Sequence, residues 1–171
     1  MLRVLFVISL MIAAAPLRAS TGPEVAKAVA GAKPLGAVTF RWLGVTLYEA
    51  VLFTPGGKGF SWAQPMALQL RYAREISREN LIKATMTELG RMEGARADHG
   101  AIETKLAQCF RDVGKGDRFT AAPKGAGRVD LYFNGSRTCT LNHPNIRERF
   151  LSIWLSDQAR STRLSRQLRG Q

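Results

Sequence analysis

The sequence predicts an α+β domain: a mainly antiparallel sheet with helices packed on one side. Three observations carry that expectation. Phe40–Pro55 holds two apolar segments, Phe40–Leu43 and Val45–Phe53, either side of Gly44. In the second, Val45, Leu47, Glu49, Val51 and Phe53 fall on one face, and Thr46, Tyr48, Ala50 and Leu52 on the other. That period of two reads as strand, and two largely apolar faces place it inside a sheet. Further along, Ile82, Met86 and Leu89 repeat at helical spacing. Asn134-Gly135 then separates two short strand-like runs and is the strongest hairpin signal in the chain. Strands, two helices, hairpins and terminal helices in that order make an α+β domain.

Residues 1–19 stand apart. Arg3 gives a positive start, Val4–Ala15 is an apolar run, and Leu17-Arg18-Ala19 offers a small-residue cleavage end. This is the plan of a secretory signal peptide. A membrane anchor is the alternative, but the 12-residue run falls short of the ~20 residues a spanning helix needs. The expectation is a protein exported to the periplasm or beyond, with no membrane span after cleavage. Residues 20–34 are small and Ala-rich, and read as a flexible N-terminal segment or a short helix over Glu24–Ala30. The domain proper is expected over 35–171.

The remaining elements follow in order. Gly56-Gly57-Lys58-Gly59 reads as a plain strand connection, with covering a pocket mouth as the alternative. Met66–Tyr72 is a further strand. Ser77 offers an N-cap and Glu79 a favourable first-turn acid for a helix over Arg78–Met92. A polar link leads to a second helix, Ile102–Arg111, ended near Gly114-Lys115-Gly116. Short strands are expected at Asp117–Ala121, Arg128–Phe133 and Arg137–Leu141. One helix follows Pro144 through Phe150, Ile153 and Trp154. Another, started by Ser156-Asp157, carries Arg160, Arg163, Arg166 and Arg169 as a solvated surface.

The chain of 171 residues carries 25 Lys and Arg against 13 Asp and Glu, a formal charge of +12. Loss of Arg3 and Arg18 would leave +10. Such a balance suits either a merely soluble basic surface or an anionic partner such as an envelope surface. No zinc-finger spacing, helix-turn-helix or aromatic–basic interleaving points to nucleic acid. Two cysteines, Cys109 and Cys139, can bridge in an oxidising compartment or remain buried thiols. Cys109 shares a stripe with Ile102, Leu106 and Phe110. A strict two-residue turn at Asn134-Gly135 would put Cys139 on the face of Asp130 and Tyr132.

Chemistry-bearing motifs are sparse. No Gly-x-Ser-x-Gly elbow, phosphate loop or helical His-Glu pair occurs. His99 reads as an exposed loop residue and His143 as a turn residue. With two cysteines they lack metal-ligand spacing, so neither metal nor cofactor is expected. Glu49, an acid on an otherwise apolar face, needs Arg71 or Arg41 as a partner if buried.

Leu43-Gly-Val-x-Leu-Tyr48-x-Ala-x-Leu52 resembles the signature strand of the chalcone isomerase-like family, in its secreted bacterial branch. The resemblance continues through Leu68–Tyr72, Val113-x-Lys-Gly-Asp117, Phe133-Asn-Gly135 and Phe150-x-x-Ile-Trp-Leu155. It implies an open-faced sandwich of antiparallel sheet and helices. Family enzymes hold an oxyanion with an arginine and polarise a carbonyl through a threonine and a tyrosine. Fatty-acid-binding relatives keep the arginine for a carboxylate. Here the threonine's position falls on Tyr48 and the arginine's on Val38 or Phe40, with Arg41 one place out of register. The tyrosine and asparagine positions on the helix fall on Leu81 or Ile82 and Glu88. With those groups missing, the resemblance implies a non-catalytic protein binding a small apolar or carboxylate ligand, or an envelope accessory protein. Tyr48, Arg41, Arg71 and Glu49 are the candidate contacts. A residual isomerase or intramolecular lyase is the alternative, and it requires Arg41 to point into the cleft.

Overall fold

The computed structural model describes residues 21–171, so the leader expected over 1–19 lies outside the described residues. Six strands form one antiparallel sheet in chain order. They are β1 Ala32–Trp42, β2 Val45–Pro55, β3 Ala67–Tyr72, β4 Arg118–Pro123, β5 Arg128–Phe133 and β6 Ser136–Asn142. Helix α1, Pro23–Ala28, precedes the sheet. Helices α2 (Arg78–Glu93) and α3 (His99–Cys109) join β3 to β4, while α4 (Ile146–Leu155) and α5 (Thr162–Leu168) end the chain.

Strand alternation decides what each face covers. Ala50, Leu52, Leu68 and Leu70 point to the main core, where they meet Ile82 and Leu89 of α2, Ile102 and Leu106 of α3, and Phe150 and Leu151 of α4. Phe53 and Ala67 point the other way and pack with Val25 of α1 and Val29 just after it in a separate small cluster. Of the two readings of residues 20–34, flexible segment or short helix, the structure has the helix, packed on the sheet and followed by the start of β1. Its anchor is apolar: Val25 and Val29 are fully buried. Beside them Glu24, also buried, accepts from Thr120 Oγ1 at 3.2 Å and pairs with Arg118 Nε at 3.4 Å.

Local chemistry starts and stops the helices. Ser77 Oγ accepts from Asn80 N at 3.3 Å and caps α2. Ser161 does the same for α5 through Leu164 N, so that helix begins later than Ser156-Asp157 suggested. Helix α5 lies against β1 at Gly36, where a Cβ would stand 2.3 Å from the Gln167 carbonyl. No larger residue fits there without moving a backbone.

Cys109 and Cys139 form a disulfide with Cα atoms 5.1 Å apart. A strict hairpin register would have turned Cys139 away from α3. Instead β5 and β6 shift register between Leu131 and Tyr132, and Cys139 pairs opposite Leu131. The extra residue, Thr138, inverts the side-chain sequence beyond it, as one inserted residue must. That bulge aims Cys139 at α3.

His99, at the start of α3, sits in an ionic junction rather than in an exposed loop, and His143, in the turn between β6 and α4, joins it. Arg149 of α4 reaches Glu93, at the end of α2, at 2.6 Å, and Asp98, before α3, at 2.9 Å. His99 Nε2 lies 3.1 Å from Glu93, and His143 Nε2 3.6 Å from Asp98. Glu93 loses solvation, but hydrogen bonds from Arg149 and His99 outweigh that and hold its carboxyl below the usual range. Asp98 is held at about 2, chiefly by the hydrogen bond from Arg149. The junction ties together three helices; among the described residues no group of three or more His, Cys, Asp or Glu is placed to hold a metal ion.

Candidate functional site

Between the sheet and helices α2 and α4 lies a cavity of about 720 Å³. Leu68 and Leu70 form its floor with Phe119 and Leu131; Leu81 of α2 and Phe150 of α4 face them. The strands supply this floor because every second residue must point at the helices. Small side chains on the α2 face, Ala84 and Thr85, keep the helix from filling the space.

Two phenols interrupt the apolar wall. Tyr48 of β2 and Tyr72 of β3 are opposite each other in register, with ring centroids 6.0 Å apart. Tyr48 stacks on Phe40 at 5.1 Å, and its hydroxyl accepts the indole N–H of Trp154 at 3.0 Å. Burial pushes the Tyr48 phenol up to about 12, against the smaller opposing effect of that hydrogen bond. Tyr72 is raised further by burial and by Tyr48 beside it, and no hydrogen bond acts on its hydroxyl among the described residues. Both phenols are therefore neutral donors at any physiological pH. A hydroxyl without a hydrogen-bond partner on a cavity wall is a site for a ligand oxygen.

Charge is confined to the mouth. Arg74 and Lys83 line it, exposed and without salt bridges among the described residues. Glu75 shares the rim, and Glu88 is held by Arg91 and Arg160. Arg160 also lies over the Trp42 ring at 5.3 Å, fixing the indole at the opening.

Of the four contacts expected from sequence, the structure puts only Tyr48 on the cavity. Arg41 is exposed beside the hairpin turn, its Nε donating to Thr46 Oγ1 at 3.3 Å. Phe40 and Trp42, two residues apart on β1, both line the cavity and leave Arg41 on the other face, while the register shift at this point leaves Leu47 of β2 unpaired beside Tyr48. Glu49 and Arg71 are opposite each other across β2 and β3 on the far face, one residue away from Tyr48 and Tyr72. Glu49 is exposed and needs no partner. The Gly56–Gly59 loop lies away from the cavity and simply connects strands. Tyr72, Asn80, Arg74 and Lys83 are cavity residues that the sequence reading missed. A tyrosine and an asparagine do line the space, but from the end of β3 and the first turn of α2.

A sheet covered on one face by α2–α5 and on the other only by the short α1, with an apolar cavity under the larger cover, defines an α+β sandwich with an internal site. The chain belongs to the chalcone isomerase-like family, whose model matches residues 38–170. No curated protein matches it in sequence. Among solved structures it is similar in fold to a fatty-acid binding protein of Arabidopsis thaliana, with a TM-score of 0.64 at 8% identity over 82% of this chain and 88% of that one.

Proposed function

We propose that the protein is a non-catalytic binder of a small apolar acid such as a fatty acid. One observation carries this: an apolar cavity of about 720 Å³ with two neutral phenols on its wall and, at its mouth, two cations without salt bridges among the described residues. Ligand pockets span about 300–1,000 Å³ and combine an apolar lining with a few placed polar groups. The aliphatic chain lies over Leu68, Leu70 and Leu131. The carboxylate takes hydrogen bonds from Tyr72 and Tyr48 and attraction from Arg74 and Lys83. The similar fold of a fatty-acid binding protein supports this assignment.

Isomerase chemistry of the family type needs a cation inside the cavity to hold an oxyanion. Arg41 stands outside it, and Arg74 and Lys83 lie at the rim, so binding is the better-supported function. Export belongs to the same proposal. Its supports are the leader pattern of residues 1–19 and a cystine that suits an oxidising compartment. A role at an anionic envelope surface fits the basic charge. Three of the four C-terminal arginines are already engaged within the chain: Arg160 by Glu88, and Arg166 and Arg169 by Asp157.

Native mass spectrometry of protein purified from its own host without delipidation tests the proposal. The expected result is one co-purifying acid, released by organic extraction. An empty protein, with no mass shift on adding dodecanoate or hexadecanoate, overturns it.

A further inference from the structure

The large exposed apolar side chains among the described residues are consecutive along one hairpin tip. Trp42 is 49% exposed, Leu43 88% and Val45 46%. Trp42 also lines the cavity mouth, so the tip and the opening are one continuous surface.

The tip is built against local preference. Leu43 and Gly44 have φ of 48° and 81°, the backbone of a tight two-residue turn. The chain makes the same turn at Asn134-Gly135, with φ of 49° and 89°. There the first position holds the residue such turns favour. At the other tip it holds a leucine, whose Cβ is crowded in left-handed backbone and whose side chain buries nothing in the fold. Stability of the isolated protein accounts for neither the strain nor the exposure.

Its surroundings identify the occupant. Arg41 adjoins the tip, and Arg74 and Lys83 stand on the same rim without salt bridges among the described residues, three cations against the one exposed acid there, Glu75. Three apolar side chains are too few for a stable protein interface, which buries about 800 Å² per partner. A bilayer surface needs only a small apolar wedge and flanking cations, and indole rings favour its interface. We propose that the Trp42–Val45 tip inserts into an anionic lipid bilayer and seats the cavity mouth on it. An apolar acid then passes between membrane and cavity without crossing water. That last step rests on the ligand-binding assignment above; the docking does not.

The test is co-sedimentation of the protein, recovered from the soluble fraction, with vesicles of phosphatidylglycerol and phosphatidylcholine, against vesicles of phosphatidylcholine alone. Leu43→Asn keeps the turn and removes the wedge. We expect wild type to bind the anionic vesicles in a salt-sensitive way and Leu43→Asn to bind them about tenfold more weakly. Hexadecanoate binding in solution should be equal in both, because Leu43 does not line the cavity. Equal sedimentation of the two proteins, or none by either, overturns the docking. So does a Leu43-dependent dimer without vesicle binding. Leu43-dependent sedimentation by a protein that takes up no acid would leave the docking standing and remove the ligand assignment.

Discussion

The Trp154 indole donates to the Tyr48 hydroxyl at 3.0 Å, joining α4 to β2 across 106 residues of chain. The bond leaves the hydroxyl proton of Tyr48 free to point into the cavity, so one phenol holds the wall together and keeps a donor for the proposed ligand. Tyr48→Phe leaves the half-buried indole N–H without its partner. The expected cost is roughly 1–2 kcal/mol of stability, with a loss of acid affinity as well. Trp154→Phe should cost less stability and leave affinity nearer to wild type. Urea unfolding and calorimetric titration with hexadecanoate separate the two.

Tyr72→Phe removes a hydroxyl that no hydrogen bond supports. Its stability should match wild type or exceed it slightly, while acid affinity falls about tenfold, the equivalent of roughly 1.4 kcal/mol. Unchanged affinity would show that the ligand's polar end lies elsewhere.

How much of this site was legible follows from strand parity. Tyr48 and Tyr72 share one face, and Glu49 and Arg71 the other. The alternation in Val45–Phe53 and in Leu68–Tyr72 shows as much once the register is known. Without that register, Arg71 and Glu49 were credited to the cavity and Tyr72 was read as sheet only. The fold was easier, because Ile82, Met86 and Leu89, the Asn134-Gly135 turn and the signature strand are local signals. The bulge at Thr138 and the shift at Phe40/Arg41 were not, since each depends on what the neighbouring strand packs against.

Arg149 should set the acid limit of the fold. Asp98 lies at about 2 instead of 3.8, and Glu93 is also lowered. Carboxylates depressed in the folded state contribute stability above their unfolded values and lose it as pH falls through the folded ones. Wild-type protein should therefore lose this contribution between about pH 4 and 2. Arg149→Met should be less stable at neutral pH and flatter across that window. Urea midpoints measured at a series of pH values give the comparison.

The disulfide closes a loop with a sequence separation of 30. Chain-entropy arguments assign such a bridge roughly 3–4 kcal/mol. Replacing both Cys109 and Cys139 by alanine should lower the melting temperature, and reductant should then have no further effect. A melting curve unchanged by the double substitution would show that α3 is held to β6 by packing alone.

Leu43→Asn should stabilise the protein by up to roughly 1 kcal/mol through relief at a positive φ. A thermal melt reads this directly. A loss of stability would mean that the leucine is packed in solution after all.

The chain-order sheet also orders the steps by which the molecule assembles. Each ladder joins consecutive strands, and even β3–β4, interrupted by α2 and α3, spans at most the 53 residues from Leu68 to Ala121, whereas the contacts that close the cavity, Trp154 to Tyr48 and Arg160 to Glu88, span 106 and 72. Loop-closure entropy places the short ladders first. Pulse-labelled amides in β2–β5 should gain protection before the burial of Trp154 is complete. The floor then exists before its roof, and an acid present during folding can be laid down on an open sheet and roofed over. Loading and folding would be one event.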